Sequence, residues 1–257
     1  MTAPPLYLLH TRPDSRLLAA WVARHHARHA HAPADLGDAL HGLLRAAFGD
    51  CAPQPYRYLD ERQGLLAYTP LTPAAVREKV ALADAEAAGA LGLSATIAHD
   101  GCSVRPFPTQ WSAGKELGFE VRVRPTVREG KSGRERDVFL HAVERSDGAP
   151  LQREAVYVDW LREHLAAREN AAAEPWQESV DLLTVKMSRH QRLDVVRRTQ
   201  RTEPEGTRRG HVVAGPDVVL TGQLRIRQPE AFTHLVTRGI GRHRAFGFGM
   251  LLLRPAG

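Results

Sequence analysis

Between Gly239 and Met250 the chain sets glycines at 239, 241, 247 and 249 around Arg242, His243 and Arg244. Glycine lets a backbone approach an anion closely, and amide donors beside guanidinium groups are what a phosphate binds. Two other segments carry related chemistry. Arg122, Arg124, Arg128, Lys131, Arg134 and Arg136 face only Glu129 and Glu135 in the same stretch, a local net of +4. Lys186, Arg189, Arg192, Arg197, Arg198, Arg201, Arg208 and Arg209 face Asp194, Glu203 and Glu205, a local net of +5. Arginine supplies nearly all of this charge, and its planar fork gives phosphate two parallel hydrogen bonds. Both stretches are candidate contacts to a nucleic-acid backbone; the alternative is a pair of solvated, charged loops. His25, His26, His29 and His31 invite a metal reading, since His25 and His29 are one helical turn apart. No Cys or well-spaced carboxylate completes such a site, so a basic helix end is expected, with no metal and no cofactor. Trp111, Trp160 and Trp176 read as core or domain-contact residues rather than stacking platforms for bases.

The whole chain limits what these groups can do. Its 257 residues carry a formal charge of +6 and a pI near 9.7, a modest excess whose uneven distribution says more than its size. The apolar share of 43% and mean hydropathy of −0.34 are those of a globular protein. No run approaches the roughly 20 apolar residues of a membrane span, and the N-terminus shows no basic and apolar signal segment. Cys51 and Cys102 make no disulfide or CxxC spacing. A soluble chain in a reducing cytoplasm, with no membrane partner, is the expectation.

The elements that must position these residues alternate between strand and helix twice. Leu6–His10 reads as a strand ended by Pro13. Asp35 can cap a helix to Phe48, with Leu36, Leu40, Leu43, Leu44 and Ala47 on one face and Gly49 at its end. Tyr56–Leu59 and Leu65–Tyr68 read as strands, Pro73 to about Ala88 as a helix, and Phe119–Arg124 as a strand. This order, β-α-β-β-α-β, is the ferredoxin-like arrangement of a four-stranded antiparallel sheet with both helices on one face. The polar stretch from Glu129 to Asp137 reads as a linker. Beyond it come a strand at Val138–Ala142 and a helix from about Gln152 to Ala167 with Ala155, Val156, Trp160, Leu161 and Leu165 inward. A long hairpin starts at Leu182–Met187 and returns through Val218–Ile226, a helix follows from Pro229 to Val236, and Phe246–Leu253 is the last strand. The expected fold is α+β, two tandem ferredoxin-like (RRM-like) domains, residues 1–128 and 129–257.

The glycine-rich segment resembles the C-terminal loop of CRISPR repeat-processing endoribonucleases, in which two GxG steps flank a basic insert before the final strand. Three more segments, in order, are similar to the CasE family. Leu40-His41-Gly42-Leu43-Leu44 looks like its Leu-His motif. Phe119-Glu120-Val121-Arg122-Val123-Arg124-Pro125 looks like its F-x-L-R-x-N-P strand end, one residue short before the proline. Ala155-Val156-Tyr157-Val158-Asp159-Trp160-Leu161 looks like its A-x-W-L helix.

The resemblance implies recognition of a CRISPR RNA repeat hairpin, metal-independent cleavage, and retention of the product within a Cascade-type complex of several subunits. It makes His41 the catalytic histidine, able to move a proton as a ribose 2′-OH attacks the adjacent phosphorus. The family commonly carries a tyrosine three residues earlier, one turn away on the same helix face, where this chain has Asp38. A carboxylate can orient His41 but cannot serve as a phenol would, so Arg242 or Arg244 is a candidate for stabilising phosphate charge. The basic hairpin would grip the phosphates of an A-form stem. Two alternatives stand beside this reading: a scaffold that holds a hairpin without cutting it, and an arginine-dependent processing subunit of a type IV-like complex.

Overall fold

Asp14 opens the first helix of the chain by accepting hydrogen bonds from the backbone N–H groups of Arg16 and Leu17, both at 2.9 Å. The computed structural model describes residues 5–26, 36–93, 102–129, 134–166, 174–198 and 210–256. Strand β1 (Leu6–Thr11) leads into α1 (Ser15–His26) and α2 (Leu36–Phe48). Strands β2 (Tyr56–Asp60) and β3 (Gly64–Thr69) form a hairpin, followed by α3 (Pro73–Ala81), α4 (Ala85–Ala90) and β4 (Cys102–Phe107). The four strands make an antiparallel sheet in the order β2-β3-β1-β4.

The second unit runs β5 (Glu116–Val123), a short ribbon of β6 (Thr126–Glu129) and β7 (Arg134–Asp137), then α5 (Val138–Val143) and α6 (Arg153–Leu165). It continues as β8 (Val180–Arg198), β9 (Gly210–Ile226), α7 (Pro229–Arg238), a 3-10 turn at Arg244–Phe246 and β10 (Leu251–Pro255). Its sheet order is β10-β5-β9-β8, again antiparallel. Both sheets therefore follow the ferredoxin-like order, with the first and third strands central.

Alternation along β1 and β3 joins the units. Leu9, Leu65 and Ala67 pack on the first unit's helices with Leu40, Leu43 and Leu44 of α2. Leu6 and Tyr68 point the other way, into a core with Phe119, Val121, Tyr157, Leu161 and Phe232 of the second unit. The buried Tyr68 hydroxyl donates to the Leu251 carbonyl at 2.9 Å, tying one sheet to the other.

Several expected elements differ. Phe119–Arg124 closes no sheet in the first unit: β5 pairs with β9 and β10, and β4 supplies the first unit's fourth strand. Residues 116–123 therefore belong to the second unit's sheet. Val138–Ala142 is helical, because the Asp137 carboxylate accepts from the Phe139 N–H at 2.8 Å and starts a helix there. The helix expected from Pro73 to Ala88 breaks at Leu82, and Asp84 caps a new one through the Ala87 N–H at 2.8 Å. Helix α1 buries Leu18 and Trp21. In α6, Ala155 is exposed and Tyr157 and Val158 are buried instead. The last strand starts at Leu251 rather than Phe246, since Gly247 and Gly249 have φ of +82° and +80°, outside the range a strand uses. Asp35, His29 and His31 lie outside the described residues, as does the His26 side chain; His25 stacks on Trp21 with ring centroids 3.8 Å apart.

Candidate functional site

Helix α2 presents His41 to the glycine-rich segment. The helix buries Leu40, Leu43 and Leu44, which leaves His41 half-buried on the flank of that apolar face. Its ring lies 4.9 Å from that of Phe246 in the 3-10 turn. Asp38 stands one turn earlier, also half-buried. Tyr56 of β2 donates to the Gly37 carbonyl at 2.8 Å and so fixes the first turn of α2.

The glycine segment is built of left-handed corners. Gly239, Gly241, His243, Gly247 and Gly249 all have positive φ. The Ile240 N–H donates to the Gly249 carbonyl at 2.8 Å, closing the loop on itself, and the Gly249 N–H donates to the Arg122 carbonyl at 2.7 Å, seating it on β5. A Cβ on Gly249 would stand 2.3 Å from the Ile240 carbonyl oxygen, which only glycine tolerates. The Gly241 N–H donates to His164 Nε2 at 3.1 Å, and His164 lies stacked between Trp160 and Trp176. Trp176 is buried, Trp160 and Trp111 are half-buried against the same core, and Trp111 meets Phe232 edge to face at 5.1 Å.

The loop's cations are engaged within the chain. Arg242 Nε lies 2.9 Å from Glu135 Oε1 and His243 Nε2 lies 2.6 Å from Glu135 Oε2. Burial alone would raise the Glu135 carboxyl, but the hydrogen bond to His243 and the charges of His243, Arg242 and Arg124 hold it below its ordinary value. Arg244 Nη1 donates to the Arg238 carbonyl at 2.9 Å, and burial lowers its pKa. The guanidinium of Arg238 lies 4.2 Å over Trp176.

Beside the loop, Arg122 of β5 makes a bidentate pair with Asp217 of β9, both bonds 2.7 Å. Asp217 is fully buried and also accepts from Gln191 Nε2 at 2.6 Å, with Arg189 3.8 Å away. Burial pushes the Asp217 carboxyl up, yet the hydrogen bond and charge of Arg122, with Gln191 and Arg189, bring it below its ordinary value. Arg57 of β2 comes from the first unit, 6% exposed and 3.4 Å from Glu120. Burial and the nearby Arg122 push its pKa down to about 10.

The other sequence candidates divide. Lys186, Arg189 and Arg192 are exposed along β8, and Arg128 and Arg134 are exposed on the β6-β7 ribbon. Arg136 is held by Glu129 and Glu144. Arg124 is corrected from a surface contact to a buried support: it is 1% exposed, with Nη1 3.5 Å from the Leu193 carbonyl at the root of the hairpin. Arg197 and Arg198 lie in β8, but their side chains, together with Lys131, Arg201, Arg208 and Arg209, lie outside the described residues. Sequence reasoning missed Arg57, Glu135 and Asp217. The one signal for Asp217 is that it is the lone carboxylate between Gly210 and Ile226, in a strand otherwise apolar or uncharged up to Leu224. No group of three or more metal-ligating residues occurs among the described residues. No helix among them is long and apolar enough to cross a membrane.

Two ferredoxin-like sheets, a histidine at their junction, a glycine loop and a long basic hairpin define a tandem RRM-like protein with arginines gathered beside the loop. The CRISPR associated protein family model matches residues 6–255, so the chain belongs to that family. The structure is similar to a CRISPR endoribonuclease Cse3 bound to a 19-nucleotide RNA, with a TM-score of 0.59 and 20% identity over 98% of this chain and 100% of that one. It is also similar to Thermus thermophilus Cse3 bound to an RNA representing a pre-cleavage complex, with a TM-score of 0.56 and 18% identity over 98% and 100% of the two chains. A chain of a CRISPR RNA-guided surveillance complex in a pre-nicking state matches with a TM-score of 0.50 and 17% identity, over 97% of this chain and 100% of its own. These likenesses concern the fold, the tandem ferredoxin-like arrangement expected from the order of elements. No curated protein matches the sequence.

Proposed function

We propose that the protein is a metal-independent endoribonuclease that cuts CRISPR precursor RNA at the base of the repeat hairpin and stays bound to the product as a subunit of a Cascade-type complex. The observation that carries this reading is His41 packed on Phe246, which sets an imidazole against the glycine-rich loop beside Arg122. The RNA supplies its own nucleophile. The 2′-OH attacks the adjacent phosphorus, the P–O5′ bond breaks, and the products are a 2′,3′-cyclic phosphate and a 5′-OH. His41 moves one of the two protons, taking it from the 2′-OH or giving it to the leaving oxygen. Lys186, Arg189 and Arg192 on the hairpin hold stem phosphates, and these contacts survive cleavage at the stem base, which keeps the product bound. Family membership and the RNA-bound Cse3 likenesses support the substrate.

The test is incubation with the CRISPR repeat RNA encoded beside the gene. Cleavage should proceed in EDTA, leave a cyclic phosphate, and stop when the scissile nucleotide is 2′-deoxy. His41→Ala should lower the rate by about 10²- to 10⁴-fold with hairpin affinity nearly unchanged. Binding without any cleavage by the wild type would make the protein a hairpin scaffold. Wild-type cleavage by His41→Ala with loss in Arg242→Ala or Arg244→Ala would replace the histidine by an arginine-based site.

A further inference from the structure

Arg122 is fixed on two sides and open on the third. Its Nε and Nη2 are both taken by Asp217, at 2.7 Å each, and its guanidinium carbon lies 4.3 Å over the Phe248 ring. Its Nη1 has no hydrogen-bond partner among the described residues, and the side chain keeps 18% of its exposure. That nitrogen lies 3.9 Å from the place a Cβ on Gly247 would occupy, next to Tyr56 at 3.2 Å. It therefore borders the loop that carries Phe246, against which His41 packs.

The Asp217 side chain is 0% exposed, and a buried ion pair is weak support for stability because desolvation offsets most of its attraction. What the pair does supply is orientation, since a bidentate carboxylate fixes the plane of the guanidinium. Asp217 also takes Gln191 and faces Arg189, both on β8, so one carboxylate aligns the root of the basic hairpin with β5. Its charge does not cancel its surroundings. Arg57, Arg122 and Arg189 converge on Asp217 and Glu120, and the buried Nε of Arg57 has no partner among the described residues. Such a cluster lacks one negative charge, the charge that an RNA phosphate brings.

We propose that Asp217 is a positioning residue, which locks Arg122 so that its Nη1 donors meet a phosphate of the RNA at the cleavage site. This inference rests on the processing reading above and adds a residue that acts through another. No covalent step involves Asp217.

The experiment measures single-turnover cleavage of the repeat hairpin at saturating protein, and affinity for the uncleavable 2′-deoxy hairpin. Asp217→Asn keeps the shape and removes the charge. It should lower the rate by about 10- to 100-fold, the cost of a misplaced group, while affinity changes by less than about 5-fold. Arg122→Lys leaves a cation beside Asp217 but cannot hold a fixed plane, and should give a similar loss. The double variant should lose little more than either single one, because both disable the same donor. Wild-type rates in Asp217→Asn, or losses that multiply in the double variant, overturn the proposal. Should Asp217→Asn fail to fold, Arg122→Lys decides: a wild-type rate there overturns it, and a 10- to 100-fold loss with unchanged affinity supports it. A wild type that cuts nothing overturns the processing reading and this inference together, whereas a wild type that cuts with unaffected variants overturns this inference alone.

Discussion

Replacing Gly249 by alanine should disrupt the loop far more than the same change at Gly247, although both glycines have φ near +80°. Holding an alanine in the left-handed region costs about 1–2 kcal/mol at either position. At Gly247 the new methyl meets the edge of Tyr56 at 3.2 Å and Arg122 Nη1 at 3.9 Å, both side-chain atoms that can give way, so that cost is nearly all of it. At Gly249 the methyl would stand 2.3 Å from the Ile240 carbonyl oxygen, a backbone atom that cannot swing aside. The loop must shift, which strains the bonds from Ile240 N to Gly249 O at 2.8 Å and from Gly249 N to Arg122 O at 2.7 Å. At about 0.5–1.5 kcal/mol each, their loss brings the total to about 2–5 kcal/mol. Gly114→Ala serves as the control, since Gly114 has a φ of +81° and nothing within 4 Å of its Cβ position. Urea denaturation followed by tryptophan fluorescence should rank Gly249→Ala below Gly247→Ala, with Gly247→Ala close to Gly114→Ala. The cleavage rate should fall with Gly249→Ala as well, because the loop's seat on β5 is also the anchor of Arg122. Equal denaturation midpoints for the 247 and 249 variants would refute the reasoning, for the shared conformational cost cancels in that comparison.

Arg192→Ala, which removes an exposed cation of β8, should lower the log–log salt slope of hairpin binding by about 0.7–0.9; an unchanged slope would move the phosphate contact elsewhere. Tyr68→Phe should cost about 0.5–1.5 kcal/mol in thermal denaturation, since it removes the buried bond to the Leu251 carbonyl that links the two sheets; no change in midpoint would make that bond irrelevant to stability. Asp217 and Glu135 both have carboxyls held below their ordinary values, so the unfolded state binds more protons as the pH falls. Their contribution is complete above the unfolded values and is lost as pH falls through the folded ones, so the denaturation midpoint should hold from pH 7 to 5 and drop below about pH 4. Asp217→Asn should flatten that acid limb, and an equally steep limb would assign it to other carboxylates.

The apolar face of α2 was legible because its spacing is local: of Leu36, Leu40, Leu43, Leu44 and Ala47, all are buried except Leu36, which is exposed at the start of the helix. The ferredoxin-like order, the basic hairpin and the glycine loop were readable on the same ground, each being set by residues close in the chain. The sheet to which Phe119–Val123 belongs was not, because an alternating strand satisfies either sheet until its partners are known, and here those partners are Val218–Leu224 and Leu251–Leu253. The helical state of Val138–Val143 turned on one cap from Asp137, which outweighs the strand preference of valine and phenylalanine. The motif resemblance nominated His41, but only the folded chain brings it against Phe246 from the other end of the sequence. Arg122 and Asp217 lie 95 positions apart, and nothing in a pattern of neighbours could pair them. Periodicity fixes which face of an element is buried, whereas the partner across that face is chosen by packing between distant segments, and the polar groups beside the loop are set by that choice.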